Sequence, residues 1–377
     1  MNNKKVLMIA TYGDFYAAFE KSNIQILNEL GIEVHLCANW SDKKYNYKEE
    51  KLTDLKFQKI DIEFDRSPLS LKNVKAMFKL KKVISMNDYY LVDCHNAVTG
   101  FYGRIISIIC RVKKIMYTAH GFQFFKQGKI IDWIFFYPIE KILSIFTNQM
   151  IVINNEDYDI AKKMHSKEVT KIPGVGLDYQ YFSENIGEKN ILKKEFCFSS
   201  DSFILISIGE LSKRKNQEVI LRALEKIKNK KIIYLIVGQG SEESNLKRLS
   251  KELLLDERVY FLGHRNDIRI LNNISDVALF PSKREGLGMA ALESMASGLP
   301  LISSNVHGIN DYSINEYTGF KCNPDNVLQF AESITELYDN EKLRDIMSQN
   351  AKKVAKEFDV KNVESTMKRI YQNILDL

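Results

Sequence analysis

Short apolar, β-branched runs recur along the chain at intervals filled by longer segments of helical period, and this alternation restricts the possible folds sharply. In the first half the runs fall at residues 6–10, 34–38, 90–94, 115–119 and 150–154, and helix-period segments at 14–30, 71–85 and 131–146. Strands separated by helices imply right-handed crossovers and a parallel sheet buried on both faces. Residues 173–198 mix glycines and polar residues with little periodicity, which reads as a linker over 176–198. The alternation then resumes, with runs at 203–208, 232–237, 259–262, 277–281 and 301–303 and helices starting near 217, 242, 267 and 287. After Pro324 three amphipathic helical segments follow. The chain therefore reads as α/β, with two Rossmann-like doubly wound parallel-sheet domains, 1–175 and 199–359, facing across a cleft. A last helix of about 360–377 is expected to pack back on the first. Sheets of this kind bind ligands beyond the carboxyl ends of their strands.

A length of 377 residues suits two domains, and 45% hydrophobic with 27% charged residues is the composition of a soluble globular protein. The most apolar stretch, 130–146, is interrupted by Asp132, Glu140 and Lys141, which excludes a spanning helix there. Lys4 and Lys5 precede an apolar run that is too short for a secretory leader, and Asp14 follows, so a first strand is expected instead. Cys37, Cys94, Cys110, Cys197 and Cys322 are odd in number, far apart and without a CxxC pair. Neither a disulfide framework nor a zinc site is suggested, and a reducing cytoplasm fits.

The most informative stretch is residues 281–300. It leaves a strand, passes a glycine-containing turn at Gly286 and Gly288, and enters a helix that stops at Gly298 and Pro300. Glu285 and Glu293, eight residues apart on one helix, would diverge by about 80°. They converge only if Glu285 lies on the turn ahead of the helix. Amides of Gly286, Leu287 and Gly288 at a helix N-terminus suit phosphate or sugar oxygens, and a carboxylate can accept both hydroxyls of a ribose.

These residues resemble the signature of the family-4 retaining glycosyltransferases of GT-B fold, a Glu, seven residues and a second Glu. Other segments resemble the family's in the same order: Ser207–Asn216 with its lysine, Val237–Gly240, Phe261–His264, Asp93–Asn96 and Tyr117–Phe122. The likeness spans about residues 5–325 and is nearest to bacterial polysaccharide-assembly members. It implies that Glu293 holds the ribose and Glu285 the donor sugar. Lys215, with Arg214, would neutralise the diphosphate beside Gly209 and Gly240, and His264 would lie on the nucleobase loop. His120 would sit near the sugar's outer hydroxyls, and Gly13 would let the first loop approach the phosphates; His120, Glu285 and Lys215 are the residues expected to act in the chemistry. The implied donor is a nucleotide sugar, UDP-linked before GDP-linked, with no metal required, and the implied acceptor a lipid-linked saccharide. One departure is Glu210, where the family often has Arg. The same two-domain plan is found in nucleotide-sugar 2-epimerases, and Glu210 also leaves room for a non-catalytic sugar-nucleotide binder.

Asp157-Tyr158-Asp159 has the form of a metal-binding Asp-x-Asp, but it stands at a helix start, where acidic residues complement the helix dipole. Gly238-Gln239-Gly240 lacks the third glycine of a dinucleotide site. Between residues 71 and 129 eleven basic residues face only Asp88 and Asp93, so that segment is net +9 in a chain of net +6 and the remainder is net negative. Lys72, Lys75, Lys79, Lys81 and Lys82 make 71–82 a basic amphipathic helix, and Trp133, Phe135 and Phe136 follow in an aromatic run. This combination suits the anionic inner face of a cell membrane, with the protein peripheral to it. No nucleic-acid reading motif is present.

Overall fold

The computed structural model describes residues 4–42, 49–68 and 70–377. It divides into two compact units, 4–176 with 361–377, and 177–360. In the first, seven parallel strands are ordered β3-β2-β1-β4-β5-β6-β7. They are β1 (Lys5–Tyr12), β2 (Glu33–Asn39), β3 (Gln58–Asp61), β4 (Tyr89–His95), β5 (Lys114–Ala119), β6 (Gln149–Val152) and β7 (Glu168–Lys171). The second unit orders six parallel strands β10-β9-β8-β11-β12-β13. These are β8 (Phe203–Ile208), β9 (Ile232–Val237), β10 (Val259–Gly263), β11 (Val277–Phe280), β12 (Leu301–Ser304) and β13 (Gly319–Cys322). Central strands are buried on both faces, as Val6 to Ala10 and Ile232 to Val237 illustrate, because helices cover both sides of a parallel sheet.

Every strand expected from an apolar run is present; β3, β7 and β13 are additional. All three are four-residue edge strands, and the first two, QKID and EVTK, are largely exposed. An edge strand buried on neither face needs no apolar run, so its sequence carries little signal. The helix Ala97–Ile109 also lay outside the periodic segments. It packs so closely on the sheet that a Cβ on Gly100 would stand 2.3 Å from Tyr117 and one on Gly103 2.7 Å from Cys94.

Residues 173–198 differ from a plain linker. They carry the short helices Tyr179–Ser183 and Lys189–Glu195. Leu177 bridges to Asp359, and the buried Lys193 donates from Nζ to the Ser202 carbonyl (2.6 Å). The N-terminal helical segment begins as a π-turn, Tyr16–Glu20, before the α-helix Lys21–Glu29.

Two helices of the first unit leave apolar side chains outside. Leu71, Val74 and Phe78 are exposed on Leu71–Met86, and Ile130, Ile134, Phe135 and Ile142 on Ile130–Ser144. Here the aromatic run sorts differently from its sequence reading. Trp133 and Phe136 pack on the core, with Trp133 Nε1 donating to the Phe125 carbonyl (3.0 Å), so of the three expected interfacial aromatics only Phe135 faces outward.

Candidate active site

In the second unit the chain runs outward from β8 through β9 to β10 and then crosses back to β11 on the other side of β8. Such a switch point opens a crevice at the strands' carboxyl ends. The loops of residues 209–216, after β8, and 281–288, after β11, meet there. Asn216 Nδ2 donates to the Pro281 carbonyl (3.1 Å), and the Lys283 amide to the Arg214 carbonyl (2.8 Å). The neighbouring β9 loop stands so close that a Cβ on Gly238, at φ +135°, would lie 1.9 Å from the Gly209 carbonyl oxygen. Gly240 is similarly tight against Leu211.

Glu285 is the buried centre of this crevice. Its Oε1 meets Arg214 Nη1 at 2.7 Å, Lys215 Nζ at 2.8 Å and Ser282 Oγ at 3.0 Å. Burial works to raise its carboxyl, but the charges of Lys215 and Arg214, with hydrogen bonds from Lys215 and Ser282, outweigh it and hold Glu285 below its ordinary value. Lys215 also lies over the Phe280 ring, 4.5 Å from its centre. Glu210 stands 3.7 Å from the outer side of Arg214. The residue that departs from the family pattern is thus tied to the arginine that follows it by four positions.

The helix after the turn, Met289–Ala296, starts at Gly288 in the left-handed region (φ +95°), where a Cβ would clash with Phe280 at 2.6 Å. Glu285 therefore precedes the helix and Glu293 lies within it. Glu293 is half-buried, and its carboxylate has no hydrogen-bond or ion-pair partner among the described residues. Burial alone pushes its pKa up to about 7. Tyr312 Oη braces the turn by donating to the Leu287 carbonyl (2.7 Å), and the Gly308 amide donates to the Glu285 carbonyl (3.2 Å). His264 stands exposed just past the end of β10.

The first unit gathers a different group at the ends of β4 and β5. His95 Nδ1 lies 3.4 Å from both Glu20 Oε1 and His120 Nε2, and His95 Nε2 lies 3.4 Å from Asp93 Oδ2. Burial would lower the His95 pKa, but Glu20 and Asp93 hold it up to about 9; burial and the neighbouring His95 push His120 down to about 3. Glu20 was missed by sequence reasoning, since one acid in a helical segment looks like an ordinary surface residue. Its only signal was its setting in YAAFEKS, next to apolar positions. At Gly13 the structure supplies a packing reason for glycine: a Cβ would stand 2.3 Å from the Trp40 ring. Asp157 is fully buried, its Oδ2 accepting from the Phe122 amide (3.1 Å) and Asn154 Nδ2 (2.8 Å), whereas Asp159 is exposed.

Comparison with known proteins identifies the family and the fold. Residues 188–354 match the glycosyl transferases group 1 family, and residues 5–154 match the glycosyl transferase 4-like family. EpsD of Bacillus subtilis (strain 168) is 32% identical over 99% of this chain and 98% of its own length. An Escherichia coli protein named UDP-Gal:alpha-D-GlcNAc-diphosphoundecaprenol alpha-1,3-galactosyltransferase is 29% identical over 80% of each chain. Among solved structures, Anabaena HepE in complex with UDP superposes with a TM-score of 0.78 at 19% identity, covering 99% of this chain and 100% of its own, which shows the shared GT-B fold.

A carboxyl whose pKa rises on folding binds its proton more tightly in the native state. Stability therefore falls as pH rises from the unfolded value of 4.5 to about 7. Relative to wild type, Glu293→Gln is expected to stabilise the protein at pH 8 by about 1 kcal/mol, discounted for partial exposure. By pH 5 most of that gain should be gone. Urea unfolding followed by circular dichroism at the two pH values checks this, and no gain at pH 8 contradicts it.

Proposed function

The chain belongs to the glycosyl transferases group 1 family, and from that premise we propose that it is a retaining enzyme acting on a lipid-linked saccharide in capsule, exopolysaccharide or O-antigen assembly. It moves a hexose or N-acetylhexosamine from a UDP-sugar. One observation carries the donor assignment: Glu293 is a half-buried carboxylate without a partner among the described residues, on the helix that follows the turn of the Arg214–Lys215–Glu285 cluster. A buried acceptor left unpaired is costly, and two ribose hydroxyls supply what it lacks. The UDP held by HepE and the UDP-Gal in the name of the E. coli relative support a uridine donor.

In this reading Lys215 and Arg214 turn part of their charge from Glu285 to the diphosphate, assisted by the amides at the start of Met289–Ala296. No metal is needed to balance the phosphates, and Asp157 and Asp159 stand in different settings, one fully buried against Phe122 and Asn154 and the other exposed. Glu285 takes a hydroxyl of the donor sugar, and His120 its outer hydroxyls. Retention follows from attack on the face that the leaving group departs from, the departing phosphate oxygen taking the acceptor proton. The protein contributes positioning and stabilisation of the leaving-group charge.

The acceptor lies in the cytoplasmic leaflet, and the enzyme works there as a peripheral protein. No helix of the described residues is long and apolar enough to cross a membrane. Exposed Lys72, Lys75, Lys79, Lys81 and Lys82 share Leu71–Met86 with exposed Leu71, Val74 and Phe78. Ile130, Ile134 and Phe135 give a second set of apolar anchors. Anionic lipid attracts each nearby basic residue by about 1 kcal/mol.

Two measurements check the proposal. Calorimetry with the UDP-sugar that is turned over should show Glu293→Gln binding at least about tenfold more weakly, since a charge-assisted hydrogen bond contributes roughly 1.5–3 kcal/mol, while EDTA leaves UDP release intact. Unchanged affinity, or activity lost in EDTA and restored by Mn2+, contradicts the donor-site reading. In co-sedimentation with phosphatidylserine vesicles, binding should be strong at low salt and weak at high salt, and reduced by charge reversal at Lys75, Lys79 and Lys82. Binding indifferent to those lysines contradicts the membrane assignment.

A further inference from the structure

The His95 cluster holds more charge than folding requires. Glu20, Asp93 and His95 are each at most about 2% exposed, and replacing buried ionic groups by packed apolar ones is often neutral or stabilising. Their arrangement is nonetheless specified from several elements. Asn23 Nδ2 donates to Glu20 Oε2 (2.7 Å), and Tyr371 Oη, from the C-terminal helix Val360–Ile374, donates to Asp93 Oδ2 (3.0 Å). Glu20 closes the π-turn, an irregularity frequent at functional sites. The Phe15 ring stands edge-on to His120, 5.2 Å between centres, and 5.5 Å from His95.

Both nitrogens of His95 lie 3.4 Å from a carboxylate oxygen, an ion-pair distance; the ring's hydrogen bond runs from Nδ1 to His120, and Nε2 makes none among the described residues. A ring that serves both carries two protons, and its Nδ1–H also points at His120 Nε2. His120 Nε2 then accepts, so the proton of His120 sits on Nδ1. Only His120 of the group reaches solvent, its side chain 18% exposed. We propose that Glu20, Asp93 and Tyr371 are positioning residues for transfer: the two carboxylates hold the charged His95 ring by ion pairing, Tyr371 fixes Asp93, and the Nδ1 contact of His95 fixes the ring orientation and tautomer of His120. The inference rests on the reading of His120 as a contact to the transferred sugar.

The groups facing His95 are Glu20 from the π-turn, Asp93 from its own strand and His120 from the end of β5. Tyr371 reaches it through Asp93. Burial raises the pKa values of Tyr16, Cys94 and Tyr371 nearby, so these stay neutral. Burial also raises the Glu20 carboxyl, against the pull of the His95 charge and the Asn23 hydrogen bond, so Glu20 is the neighbour that competes with His95 for the proton.

The test joins nitrogen-15 NMR of labelled histidines, which reads tautomer and charge directly, to kinetics of UDP release with membrane extract as acceptor source. In wild type, His95 should be doubly protonated at pH 7.5 and His120 neutral with its proton on Nδ1. Glu20→Gln should return His95 to titration near or below neutrality, scramble the His120 tautomer, and lower kcat at least tenfold with donor Kd within about twofold. Tyr371→Phe, which removes one hydroxyl from an otherwise unchanged core, should give the same signature at three- to fivefold and keeps the test decisive if Glu20→Gln folds poorly. A neutral His95 in wild type, or kcat losses no larger than the loss of folded protein, overturns the proposal. So does one equivalent of tightly bound transition metal that is lost on mutating Glu20. If His120→Ala turns over like wild type, the sugar-contact reading fails; if it is impaired while Glu20→Gln and Tyr371→Phe are not, the relay alone fails.

Discussion

The contact of one buried carboxylate, Glu285, with Lys215 and Arg214 ties together the two loops at the switch point of the second sheet. A parallel sheet sends every strand's carboxyl end to the same edge, so loops distant in sequence are brought together there. Residues 214 and 285, at the ends of β8 and β11, become neighbours for that reason. Burying Glu285 and most of Lys215 costs several kcal/mol per ion before their attraction is counted, whereas Arg214 stays 41% exposed. The arrangement holds because Glu285 gathers two cations and a serine hydroxyl, and because Tyr312 and Gly308 fix the turn that carries it.

The two glutamates of the Glu-x7-Glu segment illustrate opposite solutions to burial. Glu285 is held ionised by its partners, whereas Glu293 has none among the described residues and is pushed toward neutrality by burial. A site that satisfied both internally would leave nothing for a ligand to complete. Glu210 adds to the same balance. It stands 3.7 Å from Arg214 Nη2 and so gives that guanidinium a second carboxylate neighbour besides Glu285, which Arg214 meets at 2.7 Å and Lys215 at 2.8 Å.

Much of this was legible in the sequence, for physical reasons. Central strands must be apolar on both faces, so their runs were visible, and the geometry of 3.6 residues per turn placed Glu285 ahead of the helix that carries Glu293. The edge strands β3 and β7 were invisible because they bury almost nothing. Trp133 was misjudged because an aromatic run on a helix reveals its composition but not which side meets the core; Phe124, Tyr137 and the Phe125 carbonyl decide that. Glu20 and Tyr371, 351 positions apart in number, converge on His95 only through tertiary packing, and no local pattern could pair them.

The central claim is that the carboxyl-end loops of the second sheet receive the nucleotide sugar without a metal. Amide hydrogen exchange with and without UDP-glucose, in EDTA, tests it most directly. The account predicts slowed exchange in residues 209–216, 238–243 and 285–293, and none in 154–160. Protection absent from those three segments, or appearing at 154–160 only when a divalent cation is added, would contradict it.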